Sequence, residues 1–85
     1  MAEPMLHIAS AVVRAWPATQ DAVAARIAAL AGAEVLAIDH GRIIVVLEAA
    51  HQGDIGNTLG RIADLDGVLS ATLVFEHSEP DGGTA

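Results

Sequence analysis

The chain has 85 residues, of which 53% are hydrophobic, and it carries a formal net charge of −7. This length is enough for one domain with a small core, and the lack of cysteine excludes disulfides, thiolate metal sites and cysteine nucleophiles. Four arginines and no lysine, against eleven acidic residues, do not supply the basic face that phosphate binding requires, so we expect no nucleic-acid partner.

The N-terminal residues 1–5 lack the basic segment followed by an apolar one that is typical of an export signal. No apolar run in the chain approaches the roughly 20 residues that a bilayer-spanning helix needs. We therefore expect a cytoplasmic protein that does not insert into a membrane.

The first part of the chain predicts a strand followed by a helix. Residues 5–14 are mostly apolar with a serine at their centre, and the pair Trp16-Pro17 breaks this run. Over residues 17–31 the apolar side chains recur at helical spacing, with alanine filling much of the rest. Gly32 then ends the helix, because glycine tolerates the left-handed conformation found there.

The rest of the chain predicts a hairpin, a second helix and a last strand. A short apolar segment and a segment rich in β-branched residues flank the turn His40-Gly41, which is the pattern of a hairpin. The second helix contains three glycines, each costing about 1 kcal/mol relative to alanine, so it should be the softer helix or pack closely on the sheet. The predicted bounds are 33–39 and 42–48 for the hairpin strands, 52–65 for the helix and 68–76 for the last strand.

The element order β-α-β-β-α-β predicts an α+β fold of the ferredoxin-like type. In this fold a four-stranded antiparallel sheet, in the order 4-1-3-2, carries both helices on one face. A short internal repeat supports this fold, because residues 26–32 and 61–67 are identical at five of seven positions and each stretch ends a helix. We expect a single domain over residues 1–77 and a disordered polar tail over residues 78–85.

Helices on one side leave the other side of the sheet uncovered, and we call this side the open face. Strand residues alternate between the two faces, so Ile43, Val45 and Leu47 should point to the helices and their neighbours outward. The open face should then carry an apolar patch with two small polar residues, a pattern that usually marks an interaction site. Its predicted members are Ile8, Ser10, Val12, Ile44, Val46, Thr72 and Val74.

Glu48 and Glu76 end the third and fourth predicted strands, which run in the same direction. We therefore expect both carboxylates at one end of the open face, as an acidic rim. This surface suits a peptide that is apolar along its length and basic at one end. The pattern alone leaves two alternatives equally open, a weak homodimer through this face and a scatter of exposed apolar residues without a function.

Four stretches of the chain resemble the NapD family, and together they extend over about residues 6–77. Their order and spacing carry the resemblance, since no single motif is diagnostic. The chain departs from the family pattern at Phe75-Glu76-His77, where the family commonly has Tyr-His. The four stretches are 8–14, 31–35, 42–49 and, as the best match, the segment Gly-Val-Leu-Ser-Ala-Thr-Leu-Val-Phe at 67–75.

The resemblance implies a ferredoxin-like chaperone. NapD proteins bind the twin-arginine signal peptide of the catalytic subunit of a periplasmic nitrate reductase, with the peptide lying on the sheet as a helix. The implied role is to hold the precursor back from the Tat translocase until its molybdenum cofactor and iron–sulfur cluster are inserted. We expect the peptide's arginine pair to meet Glu48, Glu76 or Asp39, and its apolar run to cover the open face.

Catalytic and metal-binding chemistry finds little support in the sequence. The four histidines lack metal-ligand spacing, and no serine lies in a nucleophile motif. We expect no enzymatic activity, no metal and no cofactor. Trp16, the only tryptophan, is expected to pack at the edge of the core, and the alternative is that it anchors a partner.

Two other functions fit the same fold. One is a dimeric regulatory module that binds a small ligand such as an amino acid. The other is a structural assembly protein that uses the open face in a fixed complex. A monomer that ignores amino acids would count against the regulatory module. Reversible binding of a peptide that depends on its arginine pair would count against the assembly protein.

Overall fold

The computed structural model describes residues 5–80, which form a four-stranded antiparallel sheet and two α-helices. The strands lie in the order β2-β3-β1-β4, which is the predicted order 4-1-3-2 read from the other edge. The ferredoxin-like α+β fold predicted from the sequence is therefore confirmed. In chain order the elements are β1 (Met5–Ala15), a 3₁₀ turn (Pro17–Thr19), α1 (Gln20–Ala28), β2 (Ala33–Asp39), β3 (Arg42–Ala49), α2 (Gln52–Ala63) and β4 (Val68–Pro80).

The core lies between the sheet and the two helices, and it consists of aliphatic side chains. Every second residue is buried from Ala9 to Ala15 in β1 and from Ile43 to Leu47 in β3, as the alternation along a strand predicts. Each helix adds one apolar stripe that packs on these strands. The largest fully buried side chains are Val13, Val23, Ile27, Ile43, Val45, Leu47 and Ile62.

Both helices are shorter than the sequence predicted. Residues 17–19 form a 3₁₀ turn in place of the first turn of α1. Hydrogen bonds of the 3₁₀ type also follow the C-terminal ends of both helices. The Leu30 N–H donates to the Ile27 carbonyl after α1, and the Leu65 N–H donates to the Ile62 carbonyl after α2. Within residues 5–80, neither helix is long and apolar enough to cross a bilayer.

The central pair of strands is regular, whereas both outer strands carry extra residues. The β1–β3 ladder runs without a register shift from His7↔Ala49 to Arg14↔Arg42. Each of the outer ladders contains β-bulges, in which one residue of the outer strand has no partner. The residues without a partner are Leu36 in β2 and Leu69 and Val74 in β4.

β4 extends four residues beyond the predicted end of the last strand. It pairs with β1 as far as Met5↔Pro80, and His7 Nδ1 lies 2.6 Å from the Ser78 hydroxyl oxygen. Residues 78–80 therefore belong to the sheet and not to a disordered tail, because the first residues of β1 supply their partners. The rest of the predicted tail, residues 81–85, lies outside the described residues.

The hairpin between β2 and β3 depends on Gly41. His40 and Gly41 have positive φ angles of 50° and 80°, as the tightest hairpin turns require. The Gly41 N–H donates to Gln20 Oε1 at 2.6 Å, and its carbonyl accepts from the Ala15 N–H at 2.8 Å. A Cβ at Gly41 would lie 2.5 Å from the Ala15 carbonyl oxygen. The turn is therefore fastened to the end of β1 and the start of α1 at a position where no side chain fits.

The three glycines of α2 do not pack closely on the sheet, so that expectation is wrong. A Cβ at Gly53, Gly56 or Gly60 would meet no atom within 4 Å. The helix contacts the core through its aliphatic stripe, in which Ile55 and Ile62 are buried. The glycines lower helix stability without a gain in packing, and a soft α2 stays a prediction.

Two alanine substitutions should therefore have opposite effects. Gly41→Ala should lower the free energy of unfolding by about 2 kcal/mol, because it adds a clash with Ala15 to an unfavourable φ. Gly56→Ala should raise it by about 1 kcal/mol, because the new methyl group meets open space in a helix interior. Urea unfolding followed by circular dichroism measures both changes, and a Gly41→Ala variant as stable as the parent would contradict the close approach.

Candidate functional site

The open face of the two central strands carries the residues that the sequence placed there. Directly opposed residues of a ladder share a face. The apolar members are half-buried by their neighbours, and Glu48 is exposed. The β1–β3 ladder pairs Ile8 with Glu48, Ser10 with Val46 and Val12 with Ile44.

The bulge at Val74 changes the faces of β4. Before it, Leu73 pairs with Ala11 on the helix side of the sheet. After it, Phe75 pairs with the adjacent Ser10 on the open face, which leaves Val74 without a partner. An extra residue shifts the alternation of side chains by one position, so every residue of β4 beyond Val74 lies on the face opposite to the predicted one.

The predicted placement of Glu76 on the open face is therefore wrong. Glu76 pairs with the buried Ala9. Its Oε1 accepts a hydrogen bond from Gln52 Nε2, 2.8 Å away at the start of α2. The carboxylate lies on the helix side because the extra residue Val74 shifts the alternation by one position. The prediction failed because it assumed strict alternation along the strand.

Phe75 and His77 lie on the open face instead. His77 pairs with Ile8, and the rings of Phe75 and His77 stack with their centroids 6.3 Å apart. Val74 and Phe75 are both 59% exposed, and Thr72 pairs with Val12 as predicted for this face. Strict alternation with Thr72 and Val74 outward would put Phe75 on the helix side, so the aromatic pair was not predicted from the sequence.

A second carboxylate, Glu34 of β2, accompanies Glu48 at one end of the open face. Glu34 pairs with Val46, and Glu48 lies two residues further along β3. The two carboxylates thus occupy diagonally adjacent positions. Their place on the same face depends on the bulge at Leu36, since an unbroken ladder from the hairpin turn would put Glu34 on the helix side. Glu34 was not among the residues predicted from the sequence, because no faces were assigned in this strand.

The close approach of Gly32 holds the backbone that carries Glu48. Gly32 has a φ of 80°, and a Cβ there would lie 2.5 Å from the Glu48 carbonyl oxygen. The Glu48 N–H donates to the Gly32 carbonyl at 2.8 Å. A shallow cleft of about 360 Å³ opens beside this contact, and the exposed residues Asp54 and Arg61 are among those that line it.

The opposite end of the open face carries two arginines. Arg14 of β1 and Arg42 of β3 are directly opposed in the ladder, and both are exposed. Asp39 pairs with Arg42 in the next ladder, but its Oδ1 contacts His40 Nδ1 at 2.5 Å. Asp39 therefore lies at the far end from Glu48, and the two do not form one rim. The open face is acidic at one end, basic at the other and apolar between them.

Trp16 is 61% exposed, so the expectation that it packs at the edge of the core is wrong. It follows Arg14 by two residues, just beyond the end of β1. Its carbonyl accepts from the Thr19 N–H at 2.9 Å and from the Thr19 hydroxyl at 3.2 Å. The backbone of Trp16 thus starts the 3₁₀ turn, and the indole remains available to solvent.

Three of the four histidines contact nearby polar groups. His7 contacts Ser78, His40 contacts Asp39, and His77 contacts Glu79 at 3.2 Å. Within the described range, no three histidine, aspartate or glutamate side chains come together as a metal site would require.

The bulge predicts how two neighbouring residues of β4 respond to truncation. Phe75→Ala should change the free energy of unfolding by less than about 1 kcal/mol, because the ring is largely exposed. Leu73→Ala should cost about 2 kcal/mol, because Leu73 packs against the core. Chemical denaturation measures both. A loss of roughly 3–5 kcal/mol for Phe75→Ala, the cost of removing a buried phenylalanine, would contradict the bulge.

Comparison with known proteins identifies the family. Residues 6–80 match the family model described as NapD protein. Over 75 residues the chain is 44% identical to Chaperone NapD of Paracoccus pantotrophus, covering 88% of this chain and 67% of that protein. It is also similar to the solution structure of the E. coli Tat proofreading chaperone protein NapD, with a TM-score of 0.79 and 28% identity, covering 93% of this chain and 84% of the other. The chain therefore belongs to the NapD family of chaperones, as its sequence resemblance predicted, and it is not an enzyme.

Proposed function

We propose that this protein binds the twin-arginine signal peptide of the catalytic subunit of a periplasmic nitrate reductase. By covering the signal it delays export of that subunit until cofactor insertion is complete, and it acts in the cytoplasm. One observation carries the proposal, namely the apolar open face with an acidic end. A twin-arginine signal peptide has the complementary order, a basic start followed by an apolar run. The E. coli relative is named a Tat proofreading chaperone, which supports a Tat substrate as the partner.

The apolar run of the peptide covers the centre of the open face. Val12, Ile44 and Val46 are half-buried there, and the β4 edge adds the more exposed Val74 and Phe75. Removing such surface from water contributes about 25 cal/mol per Å², and aromatic side chains concentrate binding energy in interfaces. Phe75 is therefore the strongest single apolar contact in this proposal.

The arginine pair of the peptide meets Glu34 and Glu48. Guanidinium–carboxylate pairs form short, charge-assisted hydrogen bonds, and two diagonally adjacent carboxylates offer one to each arginine. Both carboxylates are exposed, so each pair contributes only up to about 1 kcal/mol. These contacts select the peptide and orient it, while the apolar run supplies most of the affinity. The net charge of −7 also favours the approach of a basic segment.

Calorimetric titration with the signal peptide of the organism's own nitrate reductase tests the proposal. The peptide should bind at one site, and changing both of its arginines to glutamine should weaken binding about tenfold or more, since two ion pairs are lost. Equal binding of the two peptides would place recognition on the apolar run alone. If neither peptide binds, the proposed function is wrong.

Charge reversal on the protein locates the arginine contacts. Glu34→Lys and Glu48→Lys should each weaken peptide binding about tenfold, because an attraction is replaced by a repulsion. Glu76→Lys is the matched control, since it makes the same change in charge on the helix side of the sheet. Circular dichroism verifies that each variant is folded. An equal loss of affinity in all three variants would show that overall charge, and not the position of Glu34 and Glu48, governs binding.

A further inference from the structure

We infer that Arg14 and Arg42 form an anion-binding site that receives the C-terminal end of the signal-peptide helix and thereby fixes the direction of the peptide on the sheet. The inference rests on the proposed function and adds a second point of recognition to it. The ligand groups are the free carbonyls of a helix end and any carboxylate that follows them.

The arrangement of the two arginines is unfavourable for the fold alone. Like charges that face each other directly across a ladder destabilise a sheet, and Arg14 and Arg42 are such a pair. Asp39 is opposed to Arg42 on its other side, but its carboxylate contacts His40, and among the described residues no carboxylate lies within 4 Å of either guanidinium. A chain with four arginines and a net charge of −7 thus places two of them side by side. Such a concentration of positive charge is favourable once an anionic group binds between the two.

A peptide that lies on the open face has to form hydrogen bonds among its own backbone N–H and C=O groups. The N–H and C=O groups of the central strands are already paired in the ladders, so they are not free to bond an added segment, and a buried unpaired backbone group is costly. A helix meets this requirement internally, except in its last turn, where four carbonyls lack partners and carry partial negative charge. Two guanidiniums, each with five N–H donors, complement that end.

The spacing of the charged ends matches this helix. Arg42 and Glu48 are six residues apart in β3, which corresponds to about 20 Å of strand. A helix covers that length in about 13 residues. With its arginines at Glu34 and Glu48, the peptide runs parallel to β1 and its last turn reaches Arg14 and Arg42. The reverse direction would set arginines against arginines and free carbonyls against carboxylates.

The single tryptophan provides a direct test of direction. Trp16 is exposed just beyond the arginine end of the open face, so it can donate excitation energy to a dansyl group on a tryptophan-free signal peptide. At saturation, transfer should be stronger to a label at the C-terminal end of the apolar run than to a label at the N-terminus. Stronger transfer to the N-terminal label, or equal transfer to both, would overturn the inference.

Substitutions separate the anion site from the proposed function. Arg14→Gln and Arg42→Gln should each weaken peptide binding about threefold, and the double variant about tenfold, as expected for cations at a helix C-terminus. The Arg14→Gln variant should unfold at the same or a higher temperature than the parent, because the repulsion is relieved and Arg14 has no carboxylate opposite it in either ladder. Arg26→Gln, the same change on the exposed side of α1, should leave binding unaltered. Unchanged affinity of the double variant would contradict the anion site alone. Failure of the peptide to bind the parent protein would contradict the proposed function itself.

Discussion

The uninterrupted pairing of β1 with β3 is the constraint on which both the core and the candidate site depend. The central parts of the two strands bury one face under the helices, and because side chains alternate, the same register presents the other face to solvent. A slip of one residue would exchange the two faces. Gly41 and Gly32 fasten the two ends of β3 by backbone contacts that leave no space for a side chain. The regular ladder is thus fixed at the hairpin turn and again beside the acidic end.

The fold and the central part of the site could be predicted from the sequence, because periodicity alone determines them. Alternation correctly assigned Ile43, Val45 and Leu47 to the core, and element order gave the topology. The outer strands could not be predicted in the same way. The extra residue Val74 leaves no mark in the hydrophobic pattern, because Leu73, Val74 and Phe75 are all apolar. Phe75 and Glu76 therefore lie on the faces opposite to those that alternation predicts. The sequence also gave no sign of the open space around the α2 glycines.

Charge and shape have separate roles on the open face. Its apolar centre is continuous across the strands and makes no demand on the direction of a bound segment. The charged residues at the two ends have opposite signs, and this asymmetry makes one direction preferable to the other. The direct opposition of Arg14 and Arg42 is a like-charge contact that does not stabilise the sheet.

The bulges in the outer strands disfavour edge-to-edge association of this protein. An outer strand of a sheet presents unpaired N–H and C=O groups that invite strands from other chains, and bulges are a common means of preventing such edge-to-edge aggregation. Here both outer strands are bulged, while the inner pair is regular. A chaperone that keeps an apolar surface exposed in a crowded compartment risks polymerising through its edges. The irregular edges of β2 and β4 allow the open face to stay exposed for binding while they hinder polymerisation through strand pairing.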